Sequence, residues 1–308
     1  MRIPAYSVQA PSAVVMVRPH HFTVNTETAA DNHFQARVDA GEDLSAIAHR
    51  EITRAADRLE DHGVTVHLFE DEGTTTPDSV FPNNWFSTHA GGHVAIYPMK
   101  AESRRRERRS DVIEMLKQRY RVQDVIDYSG LEPDGLFLEG TGAMVLDHID
   151  RVAYAVRSDR TDPIALERFC THFNFEPMVF DACDEGGAPI YHTNVLMCVA
   201  TDFALIGLDM IADRKRRDEI VSRLERSGRR VIGLTNRQIG LFAGNALELQ
   251  GRSRRLLALS TTALGALDQD QLTIIEESAD PVALEIPTIE KAGGSVRCTL
   301  AGIHLLSR

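Results

Sequence analysis

The stretch from His192 to Leu208 reads HTNVLMCVATDFALIGL, and its layout recurs along the chain. A polar anchor residue opens an apolar segment, a short polar turn follows, and a second apolar segment completes the unit. Successive anchors lie 55, 53, 53 and 53 residues apart, at Asn84, Glu139, His192, Asn245 and Cys298. A fixed period of this length is the mark of a repeat architecture.

The segments between these paired strands predict one helix and one further strand in each unit. The expected helices carry apolar stripes at helical spacing and span 43–62, 103–120, 162–173, 214–227 and 261–276. Two strands, 14–17 and 299–305, lack hairpin partners, and pairing them would close a ring. We therefore expect a single domain over 1–308, an α/β fold of five strand–strand–helix–strand units around a pseudo-five-fold axis.

Composition excludes several classes of function. The 308 residues carry a formal net charge of -11, which argues against a nucleic-acid partner because phosphate contacts need a basic surface. The basic run 104–109 is interpreted as a solvated helix face. The N-terminus lacks a signal-peptide core, and no stretch approaches the roughly 18 apolar residues of a membrane span. Four cysteines without CxxC spacing indicate reduced thiols, so we expect a cytoplasmic protein.

Three anchors carry the parts of a thiol-nucleophile site. If equivalent positions of a closed ring meet at one point, Glu139, His192 and Cys298 come together there. A cysteine nucleophile needs a nearby base and a group that orients the base, and a histidine exchanges protons near neutrality. Glycines 293 and 294 precede Cys298 and allow the backbone to come close to a ligand.

Each of these three residues also has an ordinary structural interpretation. Cys298 could be a small buried apolar residue, as expected for Cys170 and Cys198. His192 could be a satisfied structural histidine, and Glu139 an exposed residue at a strand end. Their shared phase in the repeat favours the catalytic interpretation.

No cofactor is indicated by the sequence. The remaining histidines show no metal-ligand spacing with paired carboxylates or thiols, so no metal site is predicted. Neither a GxGxxG nor a GxxxxGK[ST] segment is present, so no nucleotide cofactor is predicted.

Four segments in order, at the repeat spacing, resemble a known superfamily: PDSVFPNNW (77–85), LEGTG (138–142), YHTN (191–194) and RCT (297–299). They are similar to the guanidino-group-modifying enzymes of the pentein, or α/β propeller, superfamily. That group includes arginine deiminase, dimethylarginine dimethylaminohydrolase, the amidinotransferases and the arginine and citrulline dihydrolases. An opening of the kind found at 17–35 resembles the citrulline-utilisation hydrolase branch.

This resemblance implies a five-bladed propeller and a mechanism. Cys298 would attack the central carbon of a guanidino or ureido group, and His192 would protonate the leaving nitrogen and then activate water. Glu139 would hold the substrate nitrogens and orient the imidazole. The partner would be a small amino-acid substrate, with no metal, no organic cofactor and no membrane, and a homodimer is possible.

Two departures from the superfamily concern substrate charge. Arginine deiminases carry aspartates where this chain has Asn84 and Asn194, and paired carboxylates bind a guanidinium cation through charge-assisted hydrogen bonds. Asparagine is neutral and can donate to the oxygen of a ureido group, so we expect citrulline as substrate or as an intermediate of arginine dihydrolysis. Both asparagines could instead be strand-end caps.

The resemblance also implies contacts to the amino-acid end of the substrate. Asn25 and Asn32 are expected there, and Arg18 is expected to meet the substrate carboxylate. Two alternatives stay open: an arginine deiminase, dimethylargininase or amidinotransferase, and a non-enzyme like the ribosome anti-association factors, which share a five-fold propeller.

Overall fold

The computed structural model of the protein describes residues 7–36 and 44–308. Its strands are β1 (Ala13–Pro19), β2 (Thr65–Asp71), β3 (Phe86–His89), β4 (His93–Ile96), β5 (Asp124–Asp127), β6 (Met144–Asp147), β7 (Val152–Val156), β8 (Glu176–Phe180), β9 (Met197–Val199), β10 (Phe203–Ile206), β11 (Arg230–Gly233), β12 (Leu247–Gln250), β13 (Arg255–Ser260), β14 (Ala279–Leu284) and β15 (Ala301–Gly302).

Helices connect the strands. They are α1 (Ser45–Asp61), α2 (Glu102–Arg105), α3 (Ser110–Arg119), α4 (Gly140–Ala143), α5 (Pro163–Phe173), α6 (Arg214–Arg226), α7 (Asn236–Gly240), α8 (Thr261–Ala266), α9 (Gln269–Glu276), α10 (Pro287–Glu290) and α11 (Val296–Thr299). Short 3-10 turns lie at Thr26–Thr28, Pro82–Asn84, Ser129–Asp134, Thr193–Val195 and Leu208–Met210.

The strands form five three-stranded sheets, ordered β15–β1–β2, β3–β4–β5, β6–β7–β8, β9–β10–β11 and β12–β13–β14. In each sheet the middle strand is antiparallel to one neighbour, here called the inner strand, and parallel to the other. Helices connect each middle strand to its parallel partner, because parallel neighbours need a crossover. The predicted order of elements within the repeat is confirmed.

The first and last strands pair as the sequence predicts. Val14 lies opposite Gly302 and Val15 opposite Ala301, in an antiparallel pair. A cavity is lined by residues of the inner strand of every sheet, including Ser87, Leu146, Cys198, Leu247 and Ala301. This is the arrangement expected when five units surround one axis.

The core consists of apolar strands covered by amphipathic helices. Strands β6, β7, β9 and β10 are buried along their whole length, and α1 buries Ala48, Ile52, Ala55 and Leu59 on one face. Burial of such side chains from water is the main favourable contribution to folding. The core thus fixes the inner strands, at whose leading ends the candidate site lies.

Two predicted helices are interrupted. The segment 261–276 forms α8 and α9, because Asp268 caps a new helix: its carboxylate accepts from the Gln271 backbone, and the Gln271 side chain accepts from the Asp268 backbone. The segment 103–120 likewise forms α2 and α3, with Arg109 in an extended conformation between them. The apolar stripe shows neither the Asp268 capping box nor the extended backbone at Arg109.

The prediction of a solvated face for the run 104–109 is wrong at Arg104 and Glu107, which are both buried. Arg104 is only 2% exposed, and its guanidinium makes two hydrogen bonds of 3.0 Å to the buried carboxylate of Glu107. Burial of an arginine is stable only where carboxylates neutralise it, and these partners are not visible from the run of charges itself. Across the described ranges, none of the helices has the length and apolar character needed to cross a membrane.

Candidate active site

The site lies where short turns lead into the inner strands. The 3-10 turn Pro82–Asn84 precedes β3, α4 precedes β6, the turn Thr193–Val195 precedes β9, and α11 precedes β15. These turns and their flanks form a narrow cavity of about 10 Å³, roughly the room of one water molecule. Its lining consists of Asn32, Asp78, Phe81, Asn84, Arg104, Arg160, Tyr191, His192, Ala292, Gly294 and Cys298.

Glu139 and His192 form a buried pair beside this cavity. Glu139 Oε2 lies 2.9 Å from His192 Nε2, and the Lys100 backbone N–H donates to Glu139 Oε1 at 3.1 Å. Burial opposes ionisation of Glu139, but Arg160 and the His192 hydrogen bond hold its pKa well below its usual range. Burial lowers the pKa of His192 to about 4. We therefore assign an ionised carboxylate and a neutral imidazole, whose Nε2 proton faces the carboxylate and whose Nδ1 can accept a proton.

Cys298 faces two side-chain amides. Asn194 Nδ2 and Asn245 Nδ2 each donate to Cys298 Sγ at 3.3 Å. Asn245 is itself fixed, because its Nδ2 also donates to the Asn194 carbonyl at 2.9 Å and its Oδ1 accepts from the Arg297 backbone N–H at 3.0 Å. Two side-chain amide donors are therefore directed at this one sulfur.

Two buried guanidinium groups flank the Glu139 carboxylate. Arg160 Nη1 lies 3.4 Å and Arg104 Nη1 lies 3.6 Å from Glu139 Oε2. Arg104 also contacts Asn84, whose side-chain oxygen, when turned toward the guanidinium, accepts at 2.8 and 3.1 Å. Burial raises the pKa of Glu107, the main partner of Arg104, to about 8. The substituted asparagine Asn84 is therefore part of the charge network and not a bare strand-end cap.

The two asparagines expected at the amino-acid end of the substrate lie near the cavity. Asn32 belongs to the lining, and its Nδ2 donates to the Ala292 carbonyl at 3.2 Å. Gly293, with φ of 81°, packs against it so closely that an added Cβ would lie 2.5 Å from Asn32 atoms. Asn25 lies behind the lining and donates to Asp78 Oδ2 at 2.8 Å. Gly293 thus allows its backbone to approach the Asn32 side chain closely, and the predicted approach to a ligand stays a prediction.

Arg18 is not brought to the cavity. Its guanidinium pairs with Glu70 through both carboxylate oxygens, and these hydrogen bonds lower the pKa of Glu70 to about 2. Glu70 also lies with His20 and His49 in the one group of three possible metal ligands found among the described residues. A guanidinium already occupies that carboxylate, so the group does not point to a metal.

Sequence reasoning missed four residues of the site. Asp78 lies within the motif at 77–85, and Asn245 lies on the repeat period, but the sequence patterns predict no functional role for either residue. Arg104 was assigned to solvent, and Arg160 has no local signal that separates it from a surface arginine.

Comparison with known proteins supports the fold and the family. A family model for eukaryotic N,N dimethylarginine dimethylhydrolase matches residues 18–305. No curated protein sequence matches the chain significantly. Among solved structures, the N-terminal domain of ArgZ, an arginine dihydrolase from the ornithine–ammonia cycle in cyanobacteria, aligns with a TM-score of 0.74 at 16% identity, over 94% of this chain and 97% of that chain.

Two further structures share the fold. Unliganded AgrE aligns with a TM-score of 0.73 at 17% identity, over 96% of this chain and 40% of that chain. DDAH from Pseudomonas aeruginosa, a mutant complexed with citrulline, aligns with a TM-score of 0.63 at 14% identity, over 97% of this chain and 100% of that chain. This chain spans 40% of the length of ArgZ in its longer structure and of AgrE. The extent of the family-model match shows that the chain belongs to the N,N dimethylarginine dimethylhydrolase family, within the pentein superfamily of guanidino-modifying enzymes.

Proposed function

We propose that the chain is a cysteine-dependent hydrolase of the C–N bond in a ureido or guanidino group, with citrulline as the favoured substrate. One observation carries the proposal: His192 and Cys298 line the same buried cavity, and Glu139 holds the imidazole. Solved relatives of the same fold include the ArgZ N-terminal domain covalently bound to a reaction intermediate. We further propose that the five sheets close into a five-bladed propeller, with 1–308 as one catalytic domain.

The geometry supports a two-step reaction. The Cys298 thiol proton passes to His192 Nδ1, the sulfur forms a bond to the central carbon, and the C–N bond breaks as the imidazolium protonates the leaving nitrogen. Water then gives a proton to the neutral imidazole and attacks the same carbon, which breaks the C–S bond and restores the thiol. With citrulline, the first cleavage releases ammonia or ornithine, and hydrolysis of the S-carbamoyl intermediate releases the other amine as its carbamate. Loss of carbon dioxide from this carbamate breaks the second C–N bond, so the products are ornithine, ammonia and carbon dioxide.

The neutral amide of Asn84 in the lining favours a neutral reacting group. Asp78 is the one carboxylate among the described lining residues, and the cations Arg104 and Arg160 are already paired with Glu107, Glu139 and Asp31 outside the lining. A ureido group is neutral and needs no counter-charge, and the guanidinium of an arginine side chain can bind the carboxylate of the substrate. We propose Arg160, and not Arg18, for that contact, because Arg160 lines the cavity and its cation also lies 4.8 Å from the Tyr191 ring centroid.

One observation favours a cationic substrate instead. Asp78 Oδ1 is buried and has no hydrogen-bond partner among the described residues, so it can accept from a guanidinium N–H. This would suit an arginine dihydrolase, a deiminase, a dimethylargininase or an amidinotransferase. Burial raises the pKa of Asp78, which weakens its pull on a cation and keeps citrulline as the first choice.

Other expectations accompany the activity. A thiol nucleophile requires a reducing compartment, so we propose the cytoplasm. The proposed chemistry uses side chains alone, without a metal or an organic cofactor, and the net charge disfavours nucleic acid. A homodimer stays a prediction that sedimentation can test.

The test is a substrate panel of citrulline, arginine, methylated arginines and agmatine. Wild type should release ornithine, ammonia and carbon dioxide from citrulline, whereas a deiminase would release citrulline from arginine. Cys298→Ala should abolish turnover with the fold intact. Cys170→Ala changes another buried thiol, far from the cavity lining, and should remain active. Full activity in Cys298→Ala would refute the proposal.

Substrate charge has its own test. Asn84→Asp and Asn194→Asp, singly and together, should raise kcat/KM for arginine relative to kcat/KM for citrulline, because each substitution adds a carboxylate to the site. Selectivity equal to that of wild type would contradict the charge argument without affecting the assignment of the nucleophile.

A further inference from the structure

A second cavity lies immediately behind the nucleophile. It measures about 40 Å³, and its lining includes the inner strands of all five sheets together with Arg297. Arg297 is the neighbour of Cys298 in the chain, so one residue faces this cavity and the next faces the candidate active site. A volume of this size accommodates about three water molecules or one small ion.

Arg297 lacks a counter-charge. Its Nη1 donates to the Leu300 carbonyl at 3.0 Å, and across residues 7–36 and 44–308 it forms no ion pair with a carboxylate. Burial lowers its pKa, yet a guanidinium stays protonated in proteins. The guanidinium has N–H donors beyond the one that bonds Leu300, and those that face the cavity need water or an anion as acceptor.

The rest of the lining adds donors and no opposing charge. His148 and His304 are stacked with ring centroids 3.9 Å apart, and both line the cavity. Burial lowers the pKa of both rings, to about 4 for His304, and nearby Arg297 lowers them further. The one N–H of neutral His304 bonds the Val8 backbone, and neutral His148 carries one N–H donor of its own. Among the described residues, no aspartate or glutamate lines the cavity.

We propose that this cavity is a binding site for a small monovalent anion, a halide or a carboxylate of formate size, held by the Arg297 guanidinium beside the two stacked imidazoles. The anion neutralises a positive charge next to the Cys298 thiolate, so its binding reduces the reactivity of that thiol. The inference does not rest on the proposed activity, since occupancy and thiol alkylation are both measured without a substrate.

Bromide is the probe for the site. Crystals of the wild-type chain soaked in sodium bromide should show an anomalous peak within hydrogen-bond distance of the Arg297 guanidinium. Arg297→Gln should lose this peak, and Arg297→Lys, which keeps the charge, should retain it. A wild-type crystal without the peak overturns the proposal, as does an Arg297→Gln crystal that keeps it.

Solution measurements distinguish specific anion binding from general salt effects and show which class of anion the site binds. At constant ionic strength, replacing gluconate with bromide or with formate should slow iodoacetamide alkylation of Cys298 in wild type with a saturable dependence. Arg297→Gln should weaken the apparent affinity roughly 10- to 100-fold, the loss expected for one charged donor. Equal responses in both proteins would overturn the inference. Saturation by bromide alone assigns a halide site, and saturation by formate alone a carboxylate site.

Discussion

A methyl group at Gly142 tests the geometry of the site most directly. An ideal Cβ there would lie 2.3 Å from the Asn84 side-chain amide, 2.8 Å from His192 Nδ1 and 2.9 Å from His192 Cε1. To reach an ordinary contact of about 3.5 Å, the amide must move by about 1.2 Å and the imidazole by about 0.7 Å. Both side chains are buried, so either movement also displaces neighbouring atoms and costs energy.

The expected magnitude follows from these displacements. Misplacing a reacting group by about 1 Å costs on the order of 100-fold in rate, and overpacking a buried site costs about 1–3 kcal/mol of stability. Gly142→Ala should therefore lower kcat/KM by about two orders of magnitude while the chain still folds. The assay is steady-state release of ornithine from citrulline, accompanied by urea unfolding.

Gly265→Ala is the matched control. Gly265 lies in α8, and no atom lies within 4 Å of its added Cβ. This variant should keep wild-type kcat/KM and gain up to about 1 kcal/mol of stability, because alanine favours the helix. A Gly142→Ala enzyme within about twofold of wild type would refute the reasoning, since it would mean that the imidazole tolerates displacement.

Three further outcomes are expected. Asn245→Ala removes one of the two amide donors to Cys298 Sγ and should slow alkylation of this thiol by iodoacetamide at pH 7 by about tenfold or more; an unchanged rate would show that the amide does not affect the reactivity of the sulfur. Arg229→Met leaves the buried carboxylate of Asp147 without its cation and should lower the free energy of unfolding, measured in urea, by about 3–5 kcal/mol. The control Arg230→Met removes an exposed ion pair with Glu277 and should change the free energy of unfolding by less than about 1 kcal/mol. Burial lowers the pKa of His192 to about 4, so the folded protein is destabilised when this residue is protonated. Its contribution to the free energy of unfolding is full above the unfolded pKa of about 6.5 and is lost as the pH falls toward 4. His192→Gln should therefore flatten the dependence of the unfolding free energy on pH between these values, and an identical slope in both proteins would contradict the assignment of a neutral imidazole.

The repeat is the part of the fold that the sequence predicts well. A polar anchor, two apolar segments and an amphipathic helix recur every 53 to 55 residues, and each unit folds into strands and helices in the predicted order. This works because strand and helix patterns are local, with side-chain periods that can be read directly from the chain. The breaks inside 103–120 and 261–276 were not predicted, because a capping residue such as Asp268 can end one helix and begin the next without disturbing the apolar stripe.

Part of the arrangement at the candidate site follows from the repeat. The anchors Glu139 and His192 form one pair, and Cys298 lies in the same lining as His192, while their catalytic roles stay a prediction. The contacts of the sulfur differ from the expectation, however, since Asn194 and Asn245 are the residues that donate to it. Asn245 lies on the repeat period, but the period alone does not predict which neighbouring turn directs its side chain toward the thiol.

The amino-acid sequence by itself determined the periodic order of strands and helices and placed Glu139, His192 and Cys298 in one phase of the repeat. Tertiary structure alone decided what the charged side chains face. Arg104, Arg160 and Arg297 are indistinguishable in the sequence from surface arginines, yet the first two are buried beside Glu139, and the third, partly exposed, lines the cavity behind Cys298 with no carboxylate partner among the described residues. The physical reason is that desolvation and Coulomb energies depend on distances between residues remote in the chain, and only the packed fold sets those distances.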